Sequence, residues 1–156
     1  MSDSADKRVY VDSNVLIYAV EGVQGTAAPA KELIKFLRGH RGLIFTSEIS
    51  LAEVLAPSKR RGAWPLRAKR RVYLDLLVFS GAVQLVPVTR EILIRTADLR
   101  QIAAMKLPDA IHLESAIRSG CRFLVTGDTN FKKLPPNVKK ITPDEDGIRN
   151  LLEALA

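Results

Sequence analysis

Only one of the 156 residues is cysteine, so the chain can form no internal disulfide and fits a reducing compartment such as the cytoplasm. Cys121 is expected to pack as a small apolar side chain rather than to react. Histidine occurs twice, and no cluster of His and Cys offers a zinc site. There is no glycine-rich phosphate loop of the P-loop type and no GxSxG, which argues against those nucleotide-binding and serine-hydrolase chemistries. No apolar run approaches the roughly 20 residues that a membrane helix requires. The opening stretch, MSDSADKRVYVD, has no apolar segment before a cleavage site, so signal-directed secretion is not expected. Internal repeats and Gly-, Ser- or Pro-rich linkers are also missing, and 156 residues suit a single domain with one developed core. Acid is the scarcer charge: 17 Asp and Glu face 24 Lys and Arg, for a net +7. A basic domain is biased toward polyanions, of which nucleic acid is the commonest.

Strand and helix patterns alternate along the chain. RVYV (8–11), LIFT (43–46), AVQLVPV (82–88) and RFLVT (122–126) read as strands, and VKKIT (138–142) as an edge strand. Between them lie helical patterns at SNVLIYAV, 27–39, 47–56, 65–80, 89–104, 107–120 and 144–155. The apolar positions Val72, Leu76, Leu77 and Phe79 suggest one long helix over 65–80, and residues 1–7 are expected to be a flexible lead. This alternation implies an α/β sandwich around a mostly parallel sheet. In such sheets the working surface lies beyond the carboxyl ends of the strands. Asp12 directly follows the first strand, and Asp128 stands two residues after RFLVT.

Two further acids stand on helices able to flank that edge. Glu53, in SEISLAEVL, is mid-helix between Ala52 and Val54, where a carboxylate needs a partner. Ser50-x-x-Glu53 also matches a capping box, but a helix begun at Ser50 would span only about two turns before Pro57. Asp109 sits in the first turn of its helix, where the dipole favours acids regardless of function. Asp12 as a helix cap and Asp128 in an Asx turn have comparable structural explanations. His112, one turn beyond Asp109, reads either as a surface or satisfied core histidine or as a support for a carboxylate. Four acids gathered in one cleft would raise one another's pKa values unless a cation neutralised them. Hard oxygen ligands of that kind select Mg²⁺ or Mn²⁺. An aspartyl-phosphate mechanism usually wants a second Asp two residues after the first, and Asn14 holds that position.

The four segments together resemble the motifs of the PIN-domain ribonucleases, and most closely the VapC-like toxins of type II toxin–antitoxin pairs. VDSNVLIYA resembles the first motif, with Asp12 and Asn14; SEISLAEVL the second, with Glu53; KLPDAIHLESA the third, with Asp109; VTGDTNF the last, with Asp128 and the hydroxyl of Thr126. The likeness runs from about residue 8 to 131. It departs from the pattern at Asn130, where many members carry another Asp. The resemblance implies a PIN-like three-layer α/β/α sandwich with a twisted, mostly parallel sheet. It also implies a Mg²⁺- or Mn²⁺-dependent endoribonuclease, with Asp12, Asp109, Asp128 and Glu53 as metal ligands and catalytic acids. Asn14, Thr126, Asn130 and His112 would support them. Expected partners are RNA (tRNA or another structured RNA), a cognate antitoxin and a second copy of the chain, with no membrane. A PIN nuclease of RNA processing and a non-catalytic RNA-binding module are the competing readings.

Between residues 58 and 71 stand Lys59, Arg60, Arg61, Arg67, Lys69, Arg70 and Arg71, with no acid among them. Such a stretch can grip RNA phosphates beside an acidic cleft, and Trp64 and Tyr73 could stack on unpaired bases. The plainer reading is a solvated helical face.

Overall fold

The computed structural model describes residues 7–22 and 27–156, so the expected flexible lead lies, except for Lys7, outside the described residues. The order is β1 (Val9–Val11), α1 (Ser13–Glu21), α2 (Ala27–Arg38), β2 (Ile44–Ser47), α3 (Ile49–Leu55) and α4 (Leu66–Leu74). It continues through β3 (Val83–Val86), α5 (Arg90–Ile102), α6 (Leu107–Arg118), β4 (Phe123–Val125), β5 (Lys139–Ile141) and α7 (Glu145–Leu155).

The strands form one five-stranded sheet in the order β3-β2-β1-β4-β5, and every neighbouring pair is parallel. Val9 lies level with Ile44 on one side and Phe123 on the other. β5 is an edge strand, as VKKIT suggests, and β3 forms the opposite edge. From β1 the chain builds outward to β2 and β3, then returns to place β4 on the other side. The reversal opens a crevice at the carboxyl ends of β1 and β4, where parallel α/β sheets bind ligands.

Side chains leave a strand alternately to its two faces, and the sheet is buried on both. Val9, Val11 and Val125 join one apolar core with Leu16, Leu33, Leu37, Tyr73 and Leu151 from the helices. Tyr10 and Leu124 point the other way, into a smaller core with Leu113, Ala116, Cys121 and Phe131. These two cores make the three layers, and each buried Leu or Val adds about 1.5–3 kcal/mol. Local signals set the helix ends. The Thr89 hydroxyl accepts from the Ile92 N–H at 3.2 Å to open α5, and the Asp144 carboxylate accepts from Gly147 at 2.7 Å to open α7. Gly120, at φ 67°, takes the left-handed turn that releases the chain from α6 into β4.

The expected helix over 65–80 changes character part-way. After Leu74 the chain winds as a π-helical turn over Asp75–Phe79, closed by Ser80 N–H to the Asp75 carbonyl at 2.7 Å. The wider turn rotates the following side chains away from the face that α4 presents. Leu76 and Leu77 stay buried, but Phe79 is 75% exposed, and Val72 lies at the surface while Tyr73 turns inward. No helix among the described residues is long and apolar enough to cross a membrane.

Candidate active site

β1 delivers Asp12 to the crevice. Its backbone N–H bonds the Val125 carbonyl at 3.0 Å, so the ends of β1 and β4 are tied at the acid itself. Asp12 occupies the N-cap position of α1, yet its side chain makes no capping bond. One oxygen accepts from Thr126 Oγ1 at 2.7 Å and the other from Ser13 Oγ at 3.4 Å. The carboxylate is 3% exposed, held by groups that aim it along the crevice. Asp128 follows two residues beyond Thr126. Its N–H donates to Thr126 Oγ1 at 3.0 Å, and its Oδ1 accepts from Asn130 N–H at 2.9 Å. The Asx turn is therefore present, and it serves to fix the loop that carries the acid. Asn130 itself is exposed.

On the β2 side, Ser50 does not form a capping box. Its hydroxyl meets Thr46 Oγ1 at 2.7 Å, and α3 begins at Ile49, leaving Glu53 in mid-helix. The partner that Glu53 needs is His112, whose Nε2 lies 2.5 Å from Oε1. His112 is 1% exposed and also stands 3.8 Å from Asp12 Oδ1, so one imidazole touches both α3 and the end of β1. Its Nδ1 faces the Tyr10 hydroxyl at 2.7 Å, and that hydroxyl accepts the Ser47 N–H at 2.9 Å. Tyr10 and Glu53 thus hold the two ring nitrogens of His112 from opposite sides. Burial works against the imidazolium, but Glu53, Asp12 and Asp109 outweigh it and leave the His112 pKa above its ordinary value. Burial, reinforced by the charge of Asp12, pushes the Tyr10 phenol well up, so it stays neutral.

Asp109 enters from the first turn of α6. Its pKa is raised, first by burial and then by the charges of Asp128 and Asp12; His112 opposes this and Glu53 adds to it. The other three acids thus all act on Asp109. Among the described residues, no three His, Cys, Asp or Glu side chains stand close enough to enclose an ion by themselves. The donors suit a small hard cation held by one or two carboxylates, with waters and substrate phosphate completing its shell.

The basic stretch divides. Lys59, Arg60, Arg61, Arg67, Arg70 and Arg71 are exposed, whereas Lys69 is 4% exposed. Arg60 pairs with Glu21 at 3.4 Å. Tyr73 cannot stack on a base: it is fully buried, and its hydroxyl donates to Glu21 at 2.5 Å. Trp64 is half-buried, with its backbone N–H on the same Glu21 carboxylate. Tyr10 and Tyr18 had no place among the expected site residues. Tyr10 is two positions before Asp12 in a strand, hence on the same side, and a buried phenol always needs a polar partner. The Tyr18 hydroxyl would lie 3.4 Å from a Cβ at Gly127, and burial together with Asp12 and Asp128 raises its pKa.

A family model described as the PIN domain matches residues 9–136. A chain in a toxin–antitoxin complex from Klebsiella pneumoniae shares 26% identity at TM-score 0.63, covering 88% of this chain and 98% of that one. A chain of VapBC2 from Rickettsia felis, solved with a DNA fragment from its promoter, superposes at TM-score 0.60. At 18% identity, over 86% of this chain and 97% of that one, the second likeness is one of fold. No curated protein matches the chain.

Proposed function

Because the chain belongs to the PIN-domain family, we propose that it is a Mg²⁺- or Mn²⁺-dependent endoribonuclease and the toxin of a toxin–antitoxin pair. The observation that carries the reading is the state of Asp109. Burial first, and then the charges of Asp128, Asp12 and Glu53, raise its pKa against the opposition of His112, and a divalent cation would relieve the part due to negative charge. A module that merely bound RNA would gain nothing from acids facing a polyanion.

Asp12, Asp109 and Asp128 would hold the ion, one or two of them directly and the rest through its waters, and Glu53 would hold a second ion or orient the attacking water. The bound ion would lower the pKa of water and offset charge on the phosphate. Thr126 aims the Asp12 carboxylate. His112 fixes the rotamer of Glu53 from behind, as a positioning residue. Water adds to phosphorus, the P–O3′ bond breaks, and the products carry 5′-phosphate and 3′-hydroxyl ends. The 2′-hydroxyl takes no part. The exposed arginines of α4 would hold RNA phosphates beside the cleft. A small antitoxin is the proposed partner, supported by the likeness to a toxin–antitoxin complex at 26% identity. A second copy of the chain is proposed as well: Leu93, Ile94 and Ile102 of α5 are exposed apolar side chains of the kind that mark protein contacts.

The test incubates total RNA with the wild type and with Asp12→Asn, each in Mg²⁺, Mn²⁺ or EDTA, and maps the ends. Discrete cleavage needing both the metal and Asp12 is expected. Ends bearing 2′,3′-cyclic phosphate would exclude the mechanism. Equal RNA binding without cleavage in any condition would favour the binding module.

A further inference from the structure

A pocket of about 300 Å³ opens beside the acids, between α1, α3 and the start of α4. Glu53 belongs both to the acids and, with Asn14, to the wall of this pocket. Lys69, Arg60 and Tyr18 line it as well. Lys69 is the unusual member. Its residue is 4% exposed, and its Nζ donates to the Ala56 carbonyl at 2.9 Å. It forms no ion pair among the described residues. An ammonium carries three donors, and a buried charge without a counter-ion is costly. Glu21 lines the same pocket, but its carboxylate engages Tyr73 and Arg60 and forms no ion pair with Lys69.

We infer that this pocket is a subsite for the RNA phosphate adjacent to the scissile one, with Lys69 as its ligand. A phosphate oxygen there would supply the anion the ammonium lacks, in a charge-assisted bond. The register follows from Glu53, common to both: with the scissile phosphate over the acids, the next along the strand enters beside Glu53 and meets Lys69. The subsite rests on the nuclease reading, and its test separates the two.

A short oligoribonucleotide that the protein cuts at one position is prepared with a neutral methylphosphonate at the phosphate on either side of the scissile bond. For the wild type, one of the two should lower kcat/KM roughly tenfold, as loss of one charge-assisted contact does. In Lys69→Met that penalty should vanish, and in Lys69→Arg it should persist. No penalty at either phosphate, or the same penalty in Lys69→Met, would overturn the assignment; the first result is also what an acidic protein segment as the occupant would give. Equilibrium binding of the unmodified strand in Ca²⁺ supplies an independent reading. The slope of log affinity against log salt should fall by about 0.7 in Lys69→Met. If Lys69 only ties α4 to the end of α3, thermal stability will drop and the slope will not, which overturns the inference. A protein that binds RNA and never cuts it refutes the nuclease reading alone, and the slope then decides the subsite.

Discussion

The Thr126 hydroxyl donates a hydrogen bond to the Asp12 carboxylate across 2.7 Å, although the two residues are 114 positions apart in the chain. The same oxygen accepts the Asp128 N–H, so one hydroxyl holds both an acid and the loop bearing another. Thr126→Val keeps the shape and removes the bond. Loss of such an outer partner costs about 10–100-fold in metal affinity or activity. RNA cleavage rates across a Mg²⁺ titration should show that drop, while Thr126→Ser should recover most of it. A Thr126→Val protein with wild-type rates at all Mg²⁺ concentrations would remove Thr126 from the site.

Tyr10 and Glu53 sit at opposite ends of one hydrogen-bonded chain through His112, and substitution at each end should have opposite consequences. Tyr10→Phe leaves the Ser47 N–H and His112 Nδ1 buried without their partner, a loss of about 1–3 kcal/mol. A fall in Tm of several degrees is expected. Glu53→Gln still offers an oxygen to His112 Nε2, so its melting curve should overlay the wild type while cleavage is lost. A Glu53→Gln protein that unfolds early would show that the carboxylate serves the fold.

Asp109 predicts how the metal-free protein responds to charge. Its carboxyl pKa is raised, so the folded state disfavours the ionised form and that form weakens the fold at neutral pH. Asp109→Asn should therefore melt no lower than the wild type in EDTA. Mg²⁺ should raise the wild-type Tm, because an ion bound only by the folded state stabilises it, and raise that of Asp109→Asn less. Equal Mg²⁺-induced shifts in both proteins would argue against Asp109 as a ligand.

Element types were legible because the hydrophobic period changes cleanly between segments such as RVYV and LPDAIHLESAIRSG. The order of strands was not: nothing local tells β4 to lie beside β1 rather than beyond β3, yet that choice creates the crevice. Glu53 could be singled out as a carboxylate among apolar neighbours, and its answer came from His112, 59 residues away. The π-turn at Asp75–Phe79 escaped because apolar spacing assumes 3.6 residues per turn throughout. Lys69 and Tyr73 look like surface residues in a basic run, and only the packing of α4 against α3 and the Glu21 carboxylate buries them.

The placement of β1 between β2 and β4 also bears on synthesis. Chains emerge from the amino end, and β1 can pair with β2 early on one side only. Its other edge stays open until residues 123–125 arrive. Asp12 and Glu53 are then already made, but the loop bearing Asp128 has nothing to lie against. A growing chain therefore cannot hold an assembled acidic centre, and the proposed nuclease activity would not develop until the sheet is nearly complete.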